Sequence, residues 1–328
     1  MILLVSHHDD DHADAVRAEL AAAGTEAVLM DTAAFPQRTT VALGYGTGGE
    51  ASLVVGDADG ARFDLADVSA AWWRRPRPFQ LDPDLPDDEV DFTYNECFEA
   101  ISGLWASLDA FWVNDPQRDQ VASHKPYQLK AASAVGLRIP RTLITNDPDE
   151  ARAFVEARGV EDTVYKCFAA TPRHWRETRV MRPQEVALLD RVQAAPVIFQ
   201  QFVPAEADLR VTIVGDACFP AAIRLRGSAY DADFRMDLAS AAIEPTTLPD
   251  EVESDLRALM GSLGLVYGAV DLRRTPTGEH VFLEINTSGQ WRFVEERTGQ
   301  PITAAVARTL QRAAAAAPAG LGATPARS

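Results

Sequence analysis

The sequence predicts an open α/β domain followed by α+β domains rich in antiparallel hairpins. Three observations carry that prediction. Apolar, strand-like runs alternate with amphipathic helical stretches through residues 1–115. From Val197 onward, strand patterns follow one another across short turns. A length of 328 residues also exceeds what one small core organises, which points to two or three domains.

The elements follow in order. Ile2 to Val5 is an apolar run that fits a buried strand. Asp11 to Ala23 has Val16 and Leu20 four apart and Gly24 just past its end, which predicts a helix. Ala27 to Met30, Val41 to Leu43, Ser52 to Val55, Ala70 to Trp73 and Phe111 to Val113 are short strand candidates. Asp88 to Leu108 keeps Phe98, Ile101, Leu104, Trp105 and Leu108 at helical spacing. Together these predict one open parallel sheet, ending near Asn114-Asp115-Pro116. A helix is expected from Ser123 to Val135, then a strand from Arg141 to Ile144. Asp147 can cap a helix, with Pro148 in its first position and Glu150 completing a capping box. Thr163 to Phe168 and Val197 to Val203 read as strands, and Pro249 to Leu263 and Thr303 to Ala315 as helices. Residues 313–328 lack an apolar period and are expected to be disordered. No internal repeat is present.

Composition excludes several functions. With 31 basic and 48 acidic residues the net charge is −17. Such a field repels phosphate-rich surfaces, so neither nucleic acid nor an anionic membrane is an expected partner. No apolar run approaches the about 20 residues of a membrane span. The start, MILLVSHHDDD, has no basic leader, so no signal peptide is expected. Cys97, Cys167 and Cys218 have no paired spacing, which suits a reducing cytoplasm. Only Lys125, Lys130 and Lys166 are lysine, in a chain that otherwise uses arginine.

The densest local signal lies between Gly268 and Trp291. Val270-Asp271-Leu272 and Val281 to Asn286 are strand-like, joined by Pro276-Thr277-Gly278-Glu279. A two-residue turn at Thr277-Gly278 sets Asp271 opposite Glu284, with Asn286 on the same face. Opposed carboxylates destabilise a sheet unless something neutralises them. Three hard oxygen donors suit Mg²⁺. The same pattern also fits a solvated outer face with Leu283 and Ile285 inward, or one carboxyl of raised pKa.

Lys166 sits inside an apolar strand, where a phosphate partner or an edge strand would relieve its burial. Lys125 opens a predicted helix, where a cation opposes the helix dipole and a bound phosphate would reverse the effect. Asp208 and Arg210 share one strand face. Arg210 and Arg224 fall on opposite faces across a simple Gly215-Asp216 turn, and on the same face if a bulge intervenes. There is no P-loop, GxGxxG or GxSxG motif. His7, His8 and His12, beside Asp9 to Asp11, read as a solvated acidic loop rather than a metal site.

The order of these residues resembles the ATP-grasp ligases. The resemblance rests on Lys166 in a strand, the hinge Ile198 to Val203, Asp208-Leu209-Arg210, and Asp271 followed by Glu284-Ile285-Asn286, over roughly residues 115–312. Trp72 to Pro76, Asp233 to Asp237 and Asn286 to Trp291 resemble more narrowly the microviridin-type ω-ester and ω-amide ligases that make graspetides. The resemblance implies an ATP-grasp fold with a pre-ATP-grasp α/β domain at 1–115, a central and lid domain at 116–200 and a C-terminal lobe with a metal site at 201–312. It implies ATP and Mg²⁺, with Lys125 and Lys166 on phosphates, Gln200, Gln201, Phe202 and Val203 around adenine and Asp208 on ribose. Asp271, Glu284 and Asn286 would bind Mg²⁺, and Arg210 and Arg224 would stabilise the transferring phosphoryl group. Arg226, Asp233 and Arg235 would hold a ribosomal precursor peptide with an acidic, Thr/Ser-rich core. Trp72 to Pro76 would be a peptide contact or a structural motif. The lid Ala169 to Trp175 lacks the glycines of many such lids, and Gln201 replaces a hinge acid. The rival readings are a RimK- or glutathione-synthetase-type ligase of small amines and a non-catalytic peptide-binding module. A homodimer is left open.

Overall fold

The computed structural model describes residues 1–48, 51–56, 60–168, 178–224 and 241–316. The N-terminal unit contains β1 (Ile2–Val5), α1 (Asp11–Ala22), β2 (Ala27–Met30), β3 (Thr40–Tyr45), β4 (Ala51–Gly56), β5 (Arg62–Asp64), β6 (Ala70–Trp73), α2 (Asp87–Ala106) and β7 (Phe111–Val113). A parallel sheet has the order β2-β1-β6-β7. The expectation of a single parallel sheet is corrected here. β3, β4 and β5 form a separate antiparallel sheet. Their connections are too short for the right-handed crossovers that parallel pairing requires.

The central unit contains α3 (Pro116–Ala122), α4 (Lys125–Ala134), β8 (Thr142–Thr145), α5 (Pro148–Arg158), β9 (Thr163–Lys166), β10 (Arg179–Val180), a helical segment at Pro183–Ala194 and β11 (Val197–Gln201). Its antiparallel sheet has the order β10-β9-β11-β8. The helix expected from Ser123 to Val135 is α4, and a further helix, α3, precedes it. Asp115 accepts from the Gln117 and Arg118 amides and starts α3 at Pro116, by the device that Asp147 and Pro148 use for α5. The Glu150 half of the expected capping box is not made, because the Asp147 amide donates to Thr145 Oγ1 instead.

The C-terminal unit contains β12 (Ala207–Val214), β13 (Ala217–Arg224), β14 (Ala242–Pro245), α6 (Asp250–Leu263), β15 (Tyr267–Arg274), β16 (His280–Asn286), α7 (Arg292–Thr298) and α8 (Ile302–Ala316). Its sheet is antiparallel, in the order β14-β13-β12-β15-β16. One face packs Leu209, Val211, Val270, Leu272, Phe282 and Ile285 against α4 and α6. Tyr267, Trp291, Val306 and Leu310 share a second core with Ile2, Leu4, Val16, Leu20 and Trp72 of the first unit. Each such side chain removed from water contributes about 1.5–3 kcal/mol. First and last units are therefore joined by a continuous core. α8 runs to Ala316, so residues 313–316 of the expected tail are helical. Residues 317–328 lie outside the described set.

Candidate active site

The hairpin between β15 and β16 sets the site, by a route that differs from the expected turn. The Thr275 amide donates to Glu279 O and the Gly278 amide to Thr275 O, each at 2.9 Å. The loop is therefore Pro276-Thr277-Gly278, with Gly278 at φ +86°, a region that favours glycine. Nearer the site the register shifts between Asp271 and Leu272. Leu283 is the extra residue of this bulge. The longer turn and the bulge cancel. Asp271 faces Glu284, and Ala269 faces Asn286. Leu283, expected on the inner face with Ile285, instead lines the cleft, while Ile285 stays buried.

On the other side of Asp271 stands Arg210, its register partner in β12. Arg210 Nη1 lies 3.0 Å from Asp271 Oδ1, both side chains nearly buried. Lys125, at the first position of α4, pairs with Glu284. A row of charges thus runs from Arg210 through the two facing acids Asp271 and Glu284 to Lys125, with a cation at each end. The like-charge opposition is neutralised within the chain itself. The edge of β16 is held by an amide the sequence reading missed. Gln128 Nε2 donates to Ile285 O at 2.9 Å, and Gln128 Oε1 accepts from the Ile285 amide at 3.1 Å.

Lys166 closes the opposite wall. β9 lies between β10 and β11, which removes the edge-strand alternative. Lys166, Gln200, Gln201, Phe202, Val203, Asp208, Asp271 and Glu284 line one cleft between the central and C-terminal sheets. The Gln201 amide donates to Arg141 O and the Phe202 amide to Asp162 O, each at 2.8 Å, which fixes the strand connecting the two sheets. A second missed residue is Arg273, two positions after Asp271 on the same face. Its Nε lies 2.9 Å from Asp208 Oδ1, and its Nη1 donates to Val203 O at 2.7 Å. Its guanidinium also lies over the Phe202 ring, 5.5 Å from the centroid. A basic residue two after a candidate ligand acid was the available signal.

Arg224 is not brought to this row. β12 and β13 pair without a bulge from Val214 and Ala217 to Asp208 and Ile223. This regular ladder puts Arg224 on the face opposite Arg210, where Glu206 and Glu244 attend it. Arg226, Asp233, Arg235 and the segment Ala169 to Trp175 lie outside the described residues.

The expectation for the His-Asp run is corrected in part: His8, Asp9 and Asp11 are exposed, but Asp10 and His12 form a buried latch. Asp10 caps α1, accepts from Ser6 Oγ at 2.7 Å and lies 3.2 Å from Arg74 Nε. Burial alone would raise the Asp10 carboxyl, but hydrogen bonds from His12 and Ser6 and the Arg74 guanidinium hold it well below the usual range. His12 Nε2 accepts from the Trp291 and Arg292 amides at 3.1 and 3.3 Å. Arg74 donates to Ser288 O at 2.5 Å and Gly289 O at 3.0 Å, beside the Trp72 and Trp291 rings. Burial pushes the Tyr267 phenol up to about 12, so it remains a donor to Gly289 O. These contacts fix the loop that follows Asn286. Trp72 and Arg74 are thereby structural, whereas Trp73 and Pro76 line a separate groove.

The donor set fits a hard divalent cation with nucleotide phosphates. Asp271, Glu284 and Asn286 offer oxygen on one face, which suits Mg²⁺. Arg210, Lys125 and Lys166 supply positive charge around them. Val164, Leu272, Leu283 and Phe202 give the cleft an apolar end for a flat ring.

Two family models match the chain. The model of the MvdD pre-ATP grasp domain matches residues 1–120, and that of the RimK-like ATP-grasp domain matches residues 118–310. Among solved structures, the chain is similar to macrocyclase MdnC bound with precursor peptide MdnA from Microcystis aeruginosa MRC. It is 30% identical to that protein, with a TM-score of 0.84 over 95% of this chain and 99% of the other. It is also similar to the ATP-grasp ligase PsnB complexed with minimal precursor, Mg and ADP, at 27% identity and a TM-score of 0.77, covering 95% and 97%. A Chryseobacterium gregarium RiPP-associated ATP-grasp ligase, 24% identical with a TM-score of 0.86 over 95% and 96%, shares the fold. The glutathione synthetase of Nostoc sp. is 28% identical over 177 residues, 49% of this chain. That alignment spans half the length of the curated protein.

Proposed function

The chain belongs to the RimK-like ATP-grasp family, and from that membership we propose that it closes rings in a ribosomal precursor peptide. It is an ATP-dependent ligase. ATP phosphorylates a side-chain carboxylate of the peptide core, giving an acyl phosphate and ADP. A Ser or Thr hydroxyl, or a Lys amine, of the same core then attacks that carbonyl. The nucleophile loses its proton, inorganic phosphate departs, and an ω-ester or ω-amide remains. The peptide loses one water per ring.

The chain's own residues position reactants and place charge. The apolar end at Val164, Phe202 and Leu283 takes adenine, and Gln201 to Val203 present backbone to its edge. Asp208, held by Arg273, is aimed at the ribose. Lys125 and Lys166 bind phosphate oxygens, and Arg210 sits where charge develops on the transferring group. Asp271, Glu284 and Asn286 would hold Mg²⁺, which supplies charge neutralisation on the phosphates. Arg226, Asp233 and Arg235 are proposed to hold the acidic core. The three free cysteines fit a cytoplasmic setting.

The observation that carries the reading is the row Arg210–Asp271–Glu284–Lys125 facing Lys166 across one cleft, in a chain that covers nearly all of a peptide macrocyclase. ADP formation measured with Mg²⁺ and precursor peptide tests it. Turnover that needs both supports the reading. Turnover that needs only glutamate and a small amine would move the assignment to the small-molecule ligases. A protein without Mg²⁺-dependent ATP turnover would be the non-catalytic module.

A further inference from the structure

Asn114 is a buried polar residue that the chemistry above leaves unused. It follows β7 in the first unit and is 1% exposed, and its side chain reaches into the C-terminal unit. Its Oδ1 accepts from the Val266 and Tyr267 amides, each at 2.8 Å. Its Nδ2 donates to Tyr267 O at 2.9 Å and to Thr287 O at 3.3 Å. Two N–H groups on one side and two carbonyls on the other leave the carboxamide a single orientation.

This carboxamide acts as a peptide group would. β15 and β16 pair as far as Ala269 and Asn286. Past that point Asn114 stands in for the next rung of the ladder, accepting from the Tyr267 amide and donating to the Tyr267 carbonyl. Its other amide proton fixes Thr287 O. That carbonyl shares one planar peptide group with the Ser288 amide. The Ser288 amide in turn donates to Asn286 Oδ1 at 3.0 Å. Two hydrogen bonds thus run from Asn114, through one peptide group, to the carboxamide of Asn286. Bonds linked in this way polarise one another. The Ser288 bond occupies one lone pair of Oδ1 and leaves the second for a cation. The Arg74 and His12 contacts begin one peptide group later, at Ser288 O.

We propose that Asn114 is a positioning residue for the metal site: through the Thr287–Ser288 peptide it holds Asn286 Oδ1 toward the cation that Asp271 and Glu284 would share. The inference rests on the metal assignment proposed above. It makes the first unit part of the ATP site, although Asn114 does not line the nucleotide cleft. Residues that orient a metal ligand are worth about 10–100-fold in metal affinity.

Calorimetry of ADP binding at a series of Mg²⁺ concentrations tests this without turnover. Asn114→Asp keeps an acceptor for the Val266 and Tyr267 amides and has no proton for Thr287 O. It should raise the Mg²⁺ concentration that half-completes the gain in ADP affinity at least about tenfold. ADP affinity in EDTA should stay at the wild-type value. Asn114→Ala should do the same. Leu20→Ala opens a cavity in the core shared by the first and last units. It should lower the urea midpoint and leave the Mg²⁺ dependence unchanged. In an Asn286→Ala background, where the ligand is already lost, Asn114→Asp should move the Mg²⁺ dependence less than about twofold. Wild-type Mg²⁺ dependence in either folded Asn114 variant would overturn the proposal. So would a further loss of about tenfold on top of Asn286→Ala, since Asn114 would then act through the strands at large. The metal assignment is scored separately. If Asp271→Asn abolishes the Mg²⁺ dependence and both Asn114 variants keep it, the positioning role fails alone. If wild-type ADP affinity ignores Mg²⁺, the metal assignment itself fails and takes this inference with it.

Discussion

Arg74→Met should unfasten the seam between the first and last units. Arg74 and Asp10 are each 1% exposed, with 3.2 Å between Nε and Oδ2. Methionine keeps much of the stem's volume against Trp72 and Trp291 but removes the cation. Asp10 is then a buried carboxylate without its cationic partner, the Ser288 carbonyl loses the Arg74 donor, and the Gly289 carbonyl keeps only that of Tyr267. Breaking such a pair from one side costs about 3–5 kcal/mol. The double variant Arg74→Met with Asp10→Asn should recover part of that loss, with a coupling of about 2 kcal/mol or more.

The pH dependence follows from the same pair. In the wild type the Asp10 carboxyl is held below its ordinary value of 3.8, so its contribution is complete above pH 3.8 and declines as pH falls below it. In Arg74→Met, burial without the guanidinium moves the Asp10 pKa upward. The stability gap between wild type and variant should therefore narrow between pH 7 and pH 4. Urea unfolding followed by tryptophan fluorescence at both pH values reads this directly. A gap below about 1 kcal/mol at pH 7, or one unchanged by acid, would refute the account of the seam.

Three further outcomes follow from the site. Asp271→Asn and Glu284→Gln should each abolish Mg²⁺-dependent ATP turnover while circular dichroism retains the fold, and normal turnover by either variant would sink the metal assignment. Lys166→Met should weaken nucleotide binding about tenfold or more by calorimetry, as loss of a charge-assisted phosphate contact requires, and an unchanged affinity would remove its role. Arg210→Gln should reduce turnover at least about tenfold more than Arg224→Gln, because the ladder puts only Arg210 beside Asp271. Equal losses would mean that both arginines reach the phosphoryl group.

Much of the fold is legible where local rules suffice. Asp147-Pro148 marks a helix start, and the Ile2 to Val5 run marks a buried strand, because capping and burial leave short-range patterns. The facing of Asp271 and Glu284 is also legible, though for an incomplete reason. Alternation along a strand survives only when a turn residue and a bulge residue compensate, and Leu283 gives no sequence sign that it is extra. The pairing of β3, β4 and β5 depends on partners, not propensity, so strand patterns alone could not separate the two sheets. The Asp10–His12 run failed similarly. Asp11 is exposed, but Asp10 and His12 look equally solvated until Arg74, Trp291 and Arg292, remote in sequence, arrive to bury and bond them. Gly289 also has a tertiary reason, since a Cβ there would collide with that of Ala269. Arg273 shares a strand face with Asp271, but its pairing with Asp208 on β12, like the hold of Gln128 on β16, depends on a remote element that single-strand patterns do not reveal.

The central claim is ring closure in a peptide driven by ATP at the Asp271–Glu284 cleft. Mass spectrometry of a precursor peptide, encoded beside this chain and incubated with it, ATP and Mg²⁺, tests that claim most directly. The account predicts loss of one water per ring, dependent on ATP and absent with Asp271→Asn. ATP consumption with the peptide mass unchanged would contradict it.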